Sequence, residues 1–118
     1  MSILQVHCNG LHNIRDTLSH LLHQSLFFHT ECTKDHLLKI ALFDFDWMQV
    51  GRRLLVSEQN ITDIGRDEPN ESNRRDAVLM MWQRQKGSSA TYRVLTETFE
   101  QLRYCDIAKK VKEMEGKK

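Results

Sequence analysis

Pro69 is the only proline in 118 residues, and five glycines accompany it. A sheet-rich chain needs turns at short intervals, and turns draw on glycine and proline. Their scarcity leaves the helix as the element this chain can build in quantity, and its apolar residues recur at three-to-four spacing over most of its length. The expected class is all-α.

Residues that can cap a helix stand in front of the first three apolar stripes. Thr33 precedes Leu37, Leu38, Ile40 and Ala41, which share one face of a helix expected to run to about Phe43. Asp44 to Asp46 break it; Asp46 caps the next helix, with Gln49 three residues on in a capping-box-like arrangement and Trp47, Val50 and Leu54 as the stripe. Ser57 caps a third, with Glu58 in the first turn, where the helix dipole favours a negative charge, and Ile61 and Ile64 facing inward. Gly65 and Pro69 are expected to close it, because proline disfavours a helical conformation at Glu68. A longer helix begins near Asn70 to Ser72, buries Val78, Leu79 and Trp82, and stops at Gly87. Tyr92, Leu95, Phe99 and Leu102, then Ile107, Ala108 and Val111, complete six short helices between residues 34 and 115.

Residues 1–33 form an N-terminal extension of different character. They hold five of the six histidines but, among charged residues, only Arg15, Asp16 and Glu31. Ile3 to Val6 reads as extended, Asn9-Gly10 as a turn, and Leu11, Ile14, Leu18, Leu21 and Leu22 as one amphipathic helix to about Phe28. Such a helix needs a partner surface; the expectation is that it packs on the bundle or is the remnant of a preceding region, in preference to self-association, because Ser25 interrupts the seam. Cys8 with His12, and His20 with His23, have ligand-like spacing, but no zinc pattern is completed. Solvated histidines on the polar face account for them, so neither a metal nor a cofactor is expected.

The chain is the size of one domain, with a 40% apolar fraction that supports one modest core. No run reaches the roughly 18 apolar residues of a membrane span, and no basic, apolar secretory start is present. Three cysteines, an odd number without a C-x-x-C pair, fit a reducing setting. The sequons at Asn60 and Asn70 are then expected to stay unused, and the expected location is the cytoplasm.

Trp47 followed by Val50-Gly51-Arg52-Arg53-Leu54, then Ser57, Ile61, Ile64 and Pro69, then Trp82 five residues before Gly87, then Ala90-Thr91-Tyr92, Leu95 and Ile107-Ala108 form a spaced set of anchors. In that order they resemble a death domain, over residues 34–115. The resemblance implies a six-helix antiparallel bundle of Greek-key topology that binds other death domains and carries no active site. It also implies an adaptor or receptor module in apoptotic or innate-immune signalling. The domain division is then 1–33 as the extension and 34–118 as the death domain. The chain departs from the family in having Leu54-Leu55-Val56 where leucine-glycine is frequent after the second helix, a difference confined to the loop.

Any electrostatic specificity must come from local patches, since seventeen basic and sixteen acidic residues leave a net charge of +1. Arg52 and Arg53 end the second helix; Asp63, Arg66, Asp67 and Glu68 end the third; Glu71, Arg74 and Arg75 open the fourth. Opposite signs on neighbouring surfaces suit a contact between one molecule's basic patch and another's acidic patch, and such a heterologous contact builds rings or arrays. These nine residues are the expected partner-binding set. A helix-turn-helix-like nucleic-acid binder is the alternative, suggested by the two short helices with Arg52, Arg53 and Arg66, and the balanced charge argues against it.

Overall fold

The structure is a computed structural model that describes residues 30–115. The extended stretch, turn, amphipathic helix and five histidines expected before residue 30 lie outside the described residues. Among those described, six α-helices and one short 3-10 turn occur, and no strand. They divide between two compact units, one spanning Glu31–Ala90 and the other containing Thr91 onward.

The first unit holds four helices: α1 (Lys34–Ile40), α2 (Trp47–Arg53), α3 (Glu58–Asp67) and α4 (Glu71–Lys86). The N-terminus of each is closed by a side-chain oxygen taking up amides that have no intrahelical partner. Thr33 accepts from the His36 N–H at 3.2 Å and Ser57 from that of Asn60 at 3.1 Å. Asp46 accepts from Met48 and Gln49 at 3.0 and 3.3 Å, and Asn70 from Asn73 at 2.9 Å. The apolar stripes these caps place in register are buried: Leu37 and Ile40 from α1, Trp47 and Val50 from α2, Ile61 and Ile64 from α3, and Val78, Leu79 and Trp82 from α4. Truncating a buried indole such as Trp82 to alanine costs roughly 3 to 5 kcal/mol, so these faces decide whether the unit folds.

Two helix ends differ from expectation. The first helix stops at Ile40, and tighter bonds from the Leu42 N–H to Lys39 O and from the Phe43 N–H to Ile40 O wind it down. Gly65 does not close α3, which runs through it to Asp67; a Cβ there would stand 3.6 Å from the Trp47 ring, so the residue lies on the packed side of a continuing helix. The terminator is Pro69, which holds Glu68 extended at ψ 129°. Gly87 stops α4 as expected, with a φ of 54°, and residues Gly87–Ser89 make the 3-10 turn.

The second unit holds α5 (Tyr92–Gln101) and α6 (Cys105–Glu115), packed against each other. Thr91 caps α5, accepting from the Val94 N–H at 3.3 Å. Tyr92, Leu95 and Phe99 of α5 and Ile107, Ala108 and Val111 of α6 are buried, and Lys112 approaches Glu100 at 3.9 Å.

Helices α2 and α5 end alike. The Val56 N–H bonds Gly51 O and the Leu55 N–H bonds Arg52 O; the Tyr104 N–H bonds Phe99 O and the Arg103 N–H bonds Glu100 O. Each is a Schellman motif, which requires its penultimate residue in the left-handed region, and Leu55 and Arg103 both have φ 69°.

Candidate functional site

The nine expected partner-binding residues fall into three arrangements. At the C-terminal end of α2, Arg52 and Arg53 are exposed beside negative carbonyl ends that favour a cation. Arg52 donates to Glu58 through Nε at 2.8 Å and Nη2 at 3.3 Å, and this bidentate contact holds its guanidinium above the ordinary arginine range. Arg53 makes no ion pair among the described residues. Leu55, two residues on, is the other conspicuous surface group there: it is 73% exposed.

At the end of α3, Arg66 reaches Asp67 at 3.0 Å and Asp63 at 3.1 Å. The hydrogen bond to Asp67, then the nearby carboxylate charges, raise the Arg66 pKa. Exposed ion pairs of this kind contribute little to folding, but they leave two carboxylates sharing one cation. Just beyond, Glu71 meets Arg74 at 3.4 Å.

Arg74 and Arg75 behave otherwise. Arg74 donates to Glu68 O at 3.0 Å and to Gly65 O at 3.1 Å, so its guanidinium satisfies carbonyls at the C-terminal end of α3. Arg75 donates to Ala41 O at 2.7 Å, capping the end of α1, and its guanidinium lies 5.6 Å from the centre of the Phe45 ring. Its side chain is only 11% exposed. Of the nine expected partner-binding residues, these two are engaged with the body of their own unit.

Helices α3 and α4 bound a cleft of about 540 Å³. Ile64, Ala77, Met80 and Met81 supply its apolar lining, and Asp63, Asp67, Glu68 and Asp76 contribute carboxylates against the single cation of Arg84. Both methionines are half-buried, so their flexible thioethers line the cleft instead of filling the core. One Asp76 carboxylate oxygen is shielded from solvent and has no hydrogen-bond partner. Burial, and next the Glu68 charge, push the Asp76 pKa up. The expected partner-binding set contains Asp63, Asp67 and Glu68 of this lining but not Asp76, Met80 or Met81, and it does not contain Leu55. A helix-period reading that placed Val78, Leu79 and Trp82 in the core left Asp76 and Met80 beside the buried stripe, which was the available signal.

Among the described residues no three potential metal-ligating side chains gather, and no helix is long and apolar enough to cross a membrane. The sequence profile described as Death domain matches residues 34–115. The chain belongs to the death-domain family. Its class is therefore the all-α death fold, and it is a protein–protein interaction module of signalling; death domains as a family are non-enzymatic and bind other death-fold domains. No curated protein and no solved structure matches the chain.

Proposed function

We propose that this death domain is an adaptor or receptor-tail module of the cytoplasm that assembles apoptotic or innate-immune signalling complexes through the exposed end of α2 and the acidic end of α3. The observation that carries this reading is the charge separation on one unit: Arg53 is exposed without an ion pair among the described residues, while Asp63 and Asp67 share Arg66 and Glu68 lies beside Asp76. A basic surface and an acidic surface on the same chain suit a heterologous contact that repeats from molecule to molecule. Complementary charge of this sort sets encounter rate and excludes wrong partners, and like charges brought together cost several kcal/mol. Arg66 and Glu71 flank the acidic surface and tune it. Arg74 and Arg75 hold α4 against the ends of α3 and α1, so they support the surface from behind.

The test is charge reversal. Arg52→Glu with Arg53→Glu should abolish self-association or capture of another death domain, with the helical circular-dichroism signal and melting midpoint preserved. Light scattering and partner capture at low and moderate salt measure this; assembly and capture that persist unchanged in a folded double variant would remove the α2 end from the contact.

A further inference from the structure

Leu55 is poorly suited to its position as judged within its own unit. It fills the left-handed position of the motif that ends α2, where a β-carbon is disfavoured and glycine is the usual occupant. It also turns an isobutyl group 73% into solvent. Arg103 adopts the same φ of 69° at the end of α5, but its side chain is a long cation that water accepts. Single exposed leucines are ordinary on protein surfaces. An exposed leucine that also carries backbone strain is not, and strain retained at a surface points to a use for the side chain. Two residues before it stands Arg53, exposed and without an ion pair among the described residues.

The same unit carries a surface of the opposite description. The cleft between α3 and α4 offers Met80 and Met81, adaptable apolar groups, beside carboxylates that outnumber the cations in its lining. Asp76 is part of that lining; one of its carboxylate oxygens is shielded from water and lacks a donor, and Glu68 adds a like charge. A carboxylate closed to water on one side and standing beside another acid is stabilised by a guanidinium arriving from the open side, which supplies both donors and charge.

We propose that Leu55 of one molecule enters the cleft between α3 and α4 of a second copy of this chain, with Arg53 beside it reaching Asp76 and Glu68. The proposal rests on the homotypic reading above and specifies its contact. Knob and cleft lie on different elements of one chain, so each molecule can give one and receive one, and the contact propagates instead of closing as a symmetric pair. A side chain that dominates an interface sits in a desolvated pocket behind a ring of contacts that exclude water, and the cleft with its polar edge offers Leu55 such a place.

Sedimentation velocity of the 118-residue chain over a wide concentration range tests it. Leu55→Gly should melt at or above the parent temperature, because strain is relieved, and should raise the concentration needed for assembly by about tenfold or more. Asp76→Asn, which keeps the shape and removes the charge, should weaken assembly in the same direction. Met80→Lys should block the cleft, and mixing it with Leu55→Gly should give one-to-one pairs that grow no further. Leu55→Gly assembling like the parent would overturn the knob, and loss of assembly in the Arg52→Glu, Arg53→Glu variant would then leave the charge-patch reading standing. A parent that stays monomeric at every concentration would overturn the second-copy contact and leave the charge patches to be tested by capture of other death domains. A Leu55→Gly variant that melts well below the parent would show that Leu55 serves folding, and would also overturn the proposal.

Discussion

Arg52-Arg53 and Arg74-Arg75 are the same dipeptide with opposite fates. The first pair ends α2 and faces solvent; the second lies in the opening turns of α4 and turns back onto carbonyl oxygens of Gly65, Glu68 and Ala41. Helix dipoles alone would not choose this, since a cation near a helix N-terminus is disfavoured by its own helix. What decides is the supply of carbonyls left without partners where α1 and α3 finish, each of which needs a donor. An arginine pair becomes structural where orphaned acceptors stand within reach of its fork, and remains surface where they do not.

Removing the inward pair should therefore hurt folding most. Arg75→Ala deletes a charged hydrogen bond to Ala41 and the contact with the Phe45 ring, and should cost about 2 to 4 kcal/mol in urea denaturation. A loss below about 0.5 kcal/mol, the level of an ordinary surface substitution, would erase the distinction between the pairs. Arg74→Ala removes two carbonyl contacts from a more open side chain and should cost about 1 to 2 kcal/mol by the same measurement. Arg74→Lys should recover only part, since an ammonium cannot serve both oxygens with a fork.

Asp76 sharpens the comparison, because the neighbouring inward pair does not supply its shielded oxygen with a donor. Its folded pKa lies above the ordinary 3.8, so its ionised form penalises the native state above that shifted value. As pH falls through the folded pKa toward the ordinary one, the native state takes up the proton first and the penalty disappears. Asp76→Asn should thus be more stable than the parent at neutral pH, with an advantage that shrinks on acidification. Parallel stability curves for the two proteins between neutral and acid pH would show that nothing distinguishes this carboxylate. The smallest effect is expected at the outward pair: Arg52→Ala and Arg53→Ala should leave the denaturation midpoint within experimental error while weakening assembly.

The unequal legibility of the sequence follows the same division between local and distant causes. Caps at Thr33, Asp46 and Ser57 could be read directly, because an N-cap needs only its own side chain and amides two or three residues on. The buried stripes of α3 and α4 followed from period alone. Gly65 misled, because a glycine near a predicted end signals a stop only if nothing packs against it, and the Trp47 ring eighteen positions away was invisible to a local reading. The direction of Arg74 and Arg75 was equally hidden, since their acceptors belong to the ends of other helices. At the candidate site, the acidic residues were named by composition. The cleft they border depends on how α3 meets α4, and the left-handed geometry of Leu55 depends on where α2 ends.

Gly51 sits in the interior of α2, where glycine is about 1 kcal/mol worse than alanine, yet a Cβ there would lie 2.7 Å from Val78 Cγ2 of α4. Alanine, the substitution helix propensity recommends, is thereby closed as a single step, and opens only alongside a smaller side chain at position 78. The two positions form one heritable unit, so a chimaera taking α2 from one parent and α4 from another would inherit half of a fit. Arg53, exposed two places further along α2, carries no such tie, and can drift toward a new partner while the glycine behind it stays fixed.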